Sequence, residues 1–292
     1  MIKGTGVAIV TPFDKEGFID YQSLEKLINH IINGGVDFIV ALGTTSEAVT
    51  LSKSEKLELM EAVIRINDRR VPIIMGVGGN NTAAVAEELR STDFTGISGI
   101  LSVAPYYNKP NQRGIYAHFA KIAKSTSLPI ILYNVPSRTS SNISASTCLK
   151  LANEFENIVA VKEASGDMSQ IMEILQNKPD NFSMMSGDDA LTFPMMALGA
   201  SGVISVIANA YPSEFSTMVN CMDNKEFDKA KALHYSLLSS IDLLFTEGNP
   251  AGVKAALEIM GLLDNNLRLP MVEVSDELYD DLQKFIRSYK QP

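Results

Sequence analysis

Short runs of apolar residues, rich in β-branched types, alternate along this chain with longer stretches whose apolar residues recur three and four positions apart. The first run covers 6–10 and stops at Thr11-Pro12. Over 21–32, Leu24, Leu27, Ile28 and Ile31 have helical spacing, and Gly34-Gly35 ends the pattern. A second apolar run, 38–42, leads into the polar turn Gly43-Thr44-Thr45-Ser46-Glu47. Ser52 and Glu55 then form a capping box ahead of Leu57, Met60 and Ile64, which the spacing places on one helix face. The alternation continues with strands at 71–76, 99–103, 128–133, 158–162, 182–185 and 202–206. The helices that follow them are predicted at 82–90, 112–125, 144–152, 168–176 and 190–198, with another beginning near Pro212.

Strands that read as continuous apolar runs are buried on both faces, as in a parallel sheet covered by helices. Eight strand–helix units fit a closed (β/α)8 TIM barrel, an α/β fold, better than an open doubly wound sheet. Residues 1–223 are expected to form this barrel. Residues 224–292 read as helices only, a C-terminal helical extension, with no Pro-, Gly- or Ser-rich linker before them.

One strand ends unusually. Ile158-Val159-Ala160-Val161 is followed directly by Lys162, and the chain turns at Ser165-Gly166. Burial disfavours an ammonium, so an amine at the rim of a core is a starting point for Schiff-base chemistry. Read on this stretch alone, a lysine snorkelling its head into solvent past an apolar stem is the favoured account.

Composition narrows the classes of function. The 292 residues are 46% hydrophobic and 20% charged, enough for one large core and against extended disorder. A net charge of −9 argues against nucleic acid or an acidic membrane surface as partner. Cys148 and Cys221 have neither zinc-site nor disulfide-framework spacing. No apolar run has membrane-spanning length and the N-terminus lacks the core of a signal peptide, so a cytoplasmic protein is expected. The three histidines, His30, His118 and His234, all fall in predicted helices, so no metal is expected and a lysine-imine mechanism is favoured over a metal-enolate one. No cofactor is expected.

In such a barrel the chemistry lies at the C-terminal strand ends. Those ends carry Thr44-Thr45, Pro105-Tyr106-Tyr107-Asn108, Tyr133-Asn134 with Arg138, Lys162, and Ser186-Gly187-Asp188-Asp189. Gly76-Val77-Gly78-Gly79 lacks the lysine and spacing of a phosphate loop and reads as a tight strand–helix turn. Asp188-Asp189 could hold a metal, but carboxylates after a strand more often cap the next helix. Tyr106 is favoured as a core or interface aromatic; for Tyr107 and Tyr133 the packing and chemical roles stand open.

These segments, together with Val161-Lys162-Glu163-Ala164, Tyr133-Asn134-Val135-Pro136-Ser137-Arg138-Thr139, Gly202-Val203-Ile204-Ser205-Val206 and Leu267-Arg268-Leu269-Pro270, resemble in order and spacing those of the dihydrodipicolinate synthase family of pyruvate-dependent aldolases. The resemblance covers nearly the whole chain. It implies condensation of pyruvate with aspartate semialdehyde to 4-hydroxy-tetrahydrodipicolinate, in diaminopimelate and lysine biosynthesis. It implies an imine at Lys162, proton shuttling by Tyr133, and a hydroxyl relay completed by Thr44 and Tyr107. Thr45 would hold the pyruvate carboxylate and Arg138 that of the semialdehyde, with Gly187 and the Ile204 backbone lining the pocket. Tyr107 would serve a neighbouring subunit's site in a homotetramer built as a dimer of dimers.

Arg138 argues against a sister sugar-acid or sialic-acid aldolase, since such substrates present no carboxylate there. Intact Lys162, Tyr133 and Thr44 argue against a catalytically dead binding barrel. The chain departs from the family at Ser46 and Ser140, where glycine is usual. A positive φ at either position would strain a serine.

Overall fold

The structure is a computed structural model describing residues 2–290. Eight strands close into a barrel in chain order, and the strand pairs are parallel: β1 (Gly4–Ala8), β2 (Phe38–Ala41), β3 (Ile73–Gly76), β4 (Gly99–Val103), β5 (Ile130–Asn134), β6 (Ile158–Glu163), β7 (Ser183–Ser186) and β8 (Gly202–Ser205). The helices between them are α1 (Tyr21–Asn33), α2 (Lys53–Asn67), α3 (Thr82–Ser91), α4 (Gln112–Ala123), the short α5 (Pro136–Thr139), α6 (Ala145–Glu154), α7 (Met168–Asn177) and α8 (Thr192–Ala197). After β8 come α9 (Pro212–Asp223), α10 (Phe227–Phe245), α11 (Ala251–Ile259) and α12 (Asp276–Ser288). This is the barrel with C-terminal helices that the alternation predicts. The chain packs as two compact units, one of Ile73–Ile204 with the N-terminal residues through Gly4, the other of Thr5–Pro72 with the chain from Ser205 onward.

In the first unit, two strands start later than the apolar runs suggest. β3 begins at Ile73 and β5 at Ile130, because Pro72 and Pro129 precede them and have no N–H to give a ladder. β6 carries one extra residue. Ile130 pairs with Ile158 but Ile131 pairs with Ala160, so Val159 is skipped. α8 starts at Thr192 rather than 190, since the Asp188 carboxylate accepts from the backbone N–H groups of Ala190 (3.0 Å) and Leu191 (3.3 Å) in a turn that comes first. β8 enters at Gly202, φ +147°, where an added Cβ would lie 2.0 Å from the carbonyl oxygen of Gly4. Only glycine allows that approach.

His118 on α4 is buried, with Nδ1 2.8 Å from the Thr82 hydroxyl of α3. Burial holds its pKa down at about 4. The folded state therefore resists protonating a group that titrates near 6.5 when unfolded, roughly the free value. The stability this contributes is complete above about pH 6.5 and is lost as pH falls from there towards 4. The expected result in denaturant titrations is that His118→Gln loses less stability than the parent between pH 7 and pH 4.5, by about 2 kcal/mol. Identical losses in the two proteins would refute the assignment.

In the second unit, Asp20 caps α1 by accepting from the N–H groups of Gln22 and Ser23, and Leu24, Leu27, Ile28 and Ile31 form its buried face. The Ser52–Glu55 capping box is present at the start of α2. The buried face of α2 differs from the expected one: Leu59, Met60, Val63 and Asn67 are inside, while Leu57 is exposed. Leu57 lies three residues before Met60, at the edge of a stripe whose centre runs through 59, 60 and 63. Tyr211, at the head of α9, meets Phe285 and Tyr289 edge to face, which docks α12. Among the described residues, no helix is long and apolar enough to cross a membrane.

Candidate active site

Tyr133 of β5 pairs with Lys162 of β6, and the next pair is Asn134 with Glu163. Successive residues of a strand face opposite sides of the sheet, so the two pairs point opposite ways. Lys162 is only 4% exposed. Its Nζ lies 4.4 Å from the centroid of the Tyr133 ring, within range of the electron-rich face. The lysine stem runs past Gly187 at the end of β7. A Cβ there would sit 3.1 Å from both Cγ and Cε of Lys162 and 2.7 Å from Cβ of Ala164. The absence of a side chain at 187 thus leaves the space that the Lys162 stem occupies.

On the opposite face, the Glu163 carboxylate is buried and meets donors only. It accepts from Asn134 Nδ2 (3.1 and 3.0 Å), from Gln170 Nε2 of α7 (3.2 Å) and from the Ser165 N–H (2.7 Å). Asn134 also donates to Asn142 Oδ1 (2.8 Å) and accepts from the Ile143 N–H (2.8 Å). Burial, and after it the Glu163 charge, pushes the Cys148 thiol far up. Sequence reasoning assigned no role to Glu163, Asn142 or Gln170. The only available signal was a charged residue one position beyond an already unusual lysine.

The other expected residues of this unit are placed as follows. Tyr107 follows β4 with φ +71° and is 88% exposed. Tyr106 is half-buried, and its carbonyl accepts from Asn80 Nδ2 at 3.2 Å. Arg138 lies on α5 and is exposed, Ile204 is buried in β8. Ser140 caps α5 at φ +55°, the left-handed position where glycine is easier by about 1–2 kcal/mol. The structure brings Lys162, Tyr133 and Gly187 into direct contact.

In the second unit, Thr44 and Thr45 lie in a single 3-10 turn after β2, with Thr44 exposed and Thr45 buried. Thr45 Oγ1 accepts from Asn249 Nδ2 at 2.9 Å. Ser46 escapes the strain expected there: its hydroxyl donates to the Ile9 carbonyl (2.7 Å), and the left-handed residue is Glu47, φ +52°. Two groups hold Glu47 in place. Lys254 of α11 donates to Oε1 at 2.6 Å, and the Arg268 backbone N–H donates to Oε2 at 3.0 Å. The Lys254 and Glu47 side chains are 0% and 2% exposed. Burial pulls the lysine down to about 8, against the opposing pull of Glu47. The Arg268 guanidinium pairs with Glu55 and holds that carboxyl at about 2. The sequence reading placed no ion pair here. Among the described residues, no group of three or more His, Cys, Asp or Glu is placed to hold a metal.

A family model described as the dihydrodipicolinate synthetase family matches residues 1–289. The chain belongs to this family. The 4-hydroxy-tetrahydrodipicolinate synthase of Flavobacterium psychrophilum is 49% identical over 284 residues, 97% of each chain. Among solved structures, dihydrodipicolinate synthase from Aquifex aeolicus is 41% identical with a TM-score of 0.95, covering 100% of this chain and 99% of that one. The chloride-inhibited enzyme of Acinetobacter baumannii, solved with pyruvate, is 40% identical with a TM-score of 0.95 and covers 98% of each. Within the dihydrodipicolinate synthetase family, the contact of Lys162 with Tyr133 and Gly187 is this chain's candidate reaction centre.

Proposed function

We propose that this protein is a lyase that condenses pyruvate with L-aspartate 4-semialdehyde to 4-hydroxy-tetrahydrodipicolinate, through an imine at Lys162. The observation that carries the reading is a nearly buried lysine at a strand end, laid against a tyrosine ring and a glycine, in a member of this family. The Lys162 amine adds to the keto carbon of pyruvate and water leaves. The imine draws electrons from C3, a proton departs, and an enamine forms. The enamine carbon attacks the aldehyde, and the amine of the second substrate then displaces Lys162 as the ring closes.

Each of these steps moves a proton, and the Tyr133 hydroxyl carries it, with Thr44 and Tyr107 completing the relay. Thr45 holds the pyruvate carboxylate. Arg138 takes the carboxylate of the semialdehyde, for which a planar two-pronged donor is suited. Gly187 and Ile204 line the pocket. Thr44 and Thr45 enter on their motif. The Asn249 bond to Thr45 supports a fixed hydroxyl there.

The catalytic region is taken as residues 1–223 and the helical region as 224–292. Lys254 and Arg268, both in the latter, hold Glu47 two residues from Thr45 and so support a positioning role for it. The assembly proposed is a cytoplasmic homotetramer, to which the exposed Tyr107 is suited. The activity needs no nucleic acid and no membrane.

Borohydride tests the reading. Reduction in the presence of pyruvate is expected to leave one stable secondary-amine adduct, on the peptide containing Lys162. An active protein with no adduct, or with the adduct on another lysine, would sink the mechanism.

A further inference from the structure

Glu163 is a buried carboxylate with no cation in its hydrogen-bonding set: its partners are two amides and a backbone N–H. A carboxylate is costly to bury, and it is retained here with every partner donating. Its position in the sheet is the notable point. Asn134 and Glu163 are the residues immediately after Tyr133 and Lys162, on the same two paired strands. The bond between their side chains therefore joins the two strands on the face opposite the one that carries Tyr133 and Lys162.

We propose that Glu163 and Asn134 are positioning residues, a clasp on the helix-facing side of β5 and β6 that sets the approach of Lys162 to Tyr133. The inference rests on the imine reading above and deepens it. The clasp extends outward in one direction. Asn142 Nδ2 donates to Gln170 Oε1 (2.8 Å), and Gln170 Nε2 donates back to Glu163. Asn134 cannot turn over its amide, because its oxygen already accepts from the Ile143 N–H. With that amide pinned, the ring of side chains has one consistent set of donors, and the carboxylate at 163 is the acceptor that closes it. The same strand end is tied to β7, where the Gly187 N–H donates to the Glu163 carbonyl at 2.7 Å. Gly187 is the residue that the Lys162 stem passes.

Glu163→Gln keeps shape and removes the acceptor on one side. An amide introduced at 163 turns its NH2 towards that of Gln170, and if Gln170 and Asn142 flip to accommodate it the donor–donor contact moves to Asn142 and Asn134, so the clasp opens while the core stays filled. Gln170→Glu, combined with it, moves the carboxylate across the ring. The position-163 amide then donates to position 170, and Asn134, Ser165 and Asn142 keep their acceptors.

The experiment measures kcat, the pyruvate KM and the rate of borohydride-trappable imine formation in folded parent, Glu163→Gln and Glu163→Gln/Gln170→Glu proteins. Misplacement of about 1 Å in a reacting group can cost roughly 10²-fold. Glu163→Gln is expected to lower kcat and the imine rate by about that factor, with little change in KM, and the double variant to recover most of the loss. A purely structural role would change melting and leave the rate of the folded fraction alone. A folded Glu163→Gln protein with parental kcat, or a double variant no better than the single one, would overturn the clasp. If Glu163→Gln does not fold, Asn142→Ala at an exposed position opens the ring from its far end and must lower kcat in the same sense; parental kcat there overturns the clasp as well. A parent that never traps pyruvate would overturn the imine reading, and this inference with it.

Discussion

Lys162→Ala is expected to abolish condensation, with turnover down by about 10⁶-fold, the scale on which removing a covalent nucleophile acts. The loss should be one of chemistry and not of folding. The lysine stem passes Gly187, and alanine at 162 removes that stem while leaving the backbone pairing of β6 in place. In the proposed imine mechanism the electron sink exists only while the amine is bonded to pyruvate, so no neighbouring hydroxyl can substitute for it. The check is a steady-state assay beside a melting curve. A variant that melts near the parent and turns over within a hundredfold of it would show that the carbonyl is activated by something other than Lys162.

Lys254→Met is expected to cost about 3–5 kcal/mol of folding stability, the penalty for removing one partner of a buried ion pair. Glu47 would keep the Arg268 N–H but lose the ammonium at 2.6 Å, in a place with almost no access to water. The Lys254 ammonium also donates to the Asn266 carbonyl (2.8 Å) and lies 4.3 Å from the centre of the Phe13 ring, so those contacts are lost too. Measured by urea unfolding at pH 7, below the pKa of about 8, the pair is intact in the parent. Removing the second charge as well, in Glu47→Gln/Lys254→Met, should recover part of the loss, because no unpaired carboxylate is left buried. A single variant within about 1 kcal/mol of the parent would be incompatible with a buried, mutually dependent pair.

The barrel was legible because buried parallel strands write themselves as unbroken apolar runs; the burial of Lys162 was not, because on its own stretch a lysine reaching into solvent is the favoured reading. Sidedness was harder. On α2 the choice between Leu57 and Leu59 depends on neighbours that the local pattern does not name. What could not be read were relations between distant positions. Glu47 and Lys254 are separated by 207 residues, and neither is unusual in its own segment. Glu163 looked like an ordinary strand-end charge, because its partners come from β5, 29 residues earlier, and from a loop and a helix further along. The turn after β2 shows the limit at single-residue scale: a positive φ at Ser46 would have strained the serine, and the left-handed backbone falls on Glu47, one residue later.

The skipped residue in β6 governs the phase of everything after it. Had β5 and β6 continued in the register that begins at Ile130 and Ile158, Tyr133 would lie opposite Val161, and Asn134 opposite Lys162. The inward and outward rows of side chains would then be exchanged along the rest of β6 relative to its neighbour. Val159 works like a letter that a reading frame passes over: the bulge takes it up, and the residues after it are read on the same faces as if it were not there. Many apolar residues could stand at 159, and Lys162 keeps its side of the sheet because the bulge, and not the ladder, takes up the extra residue.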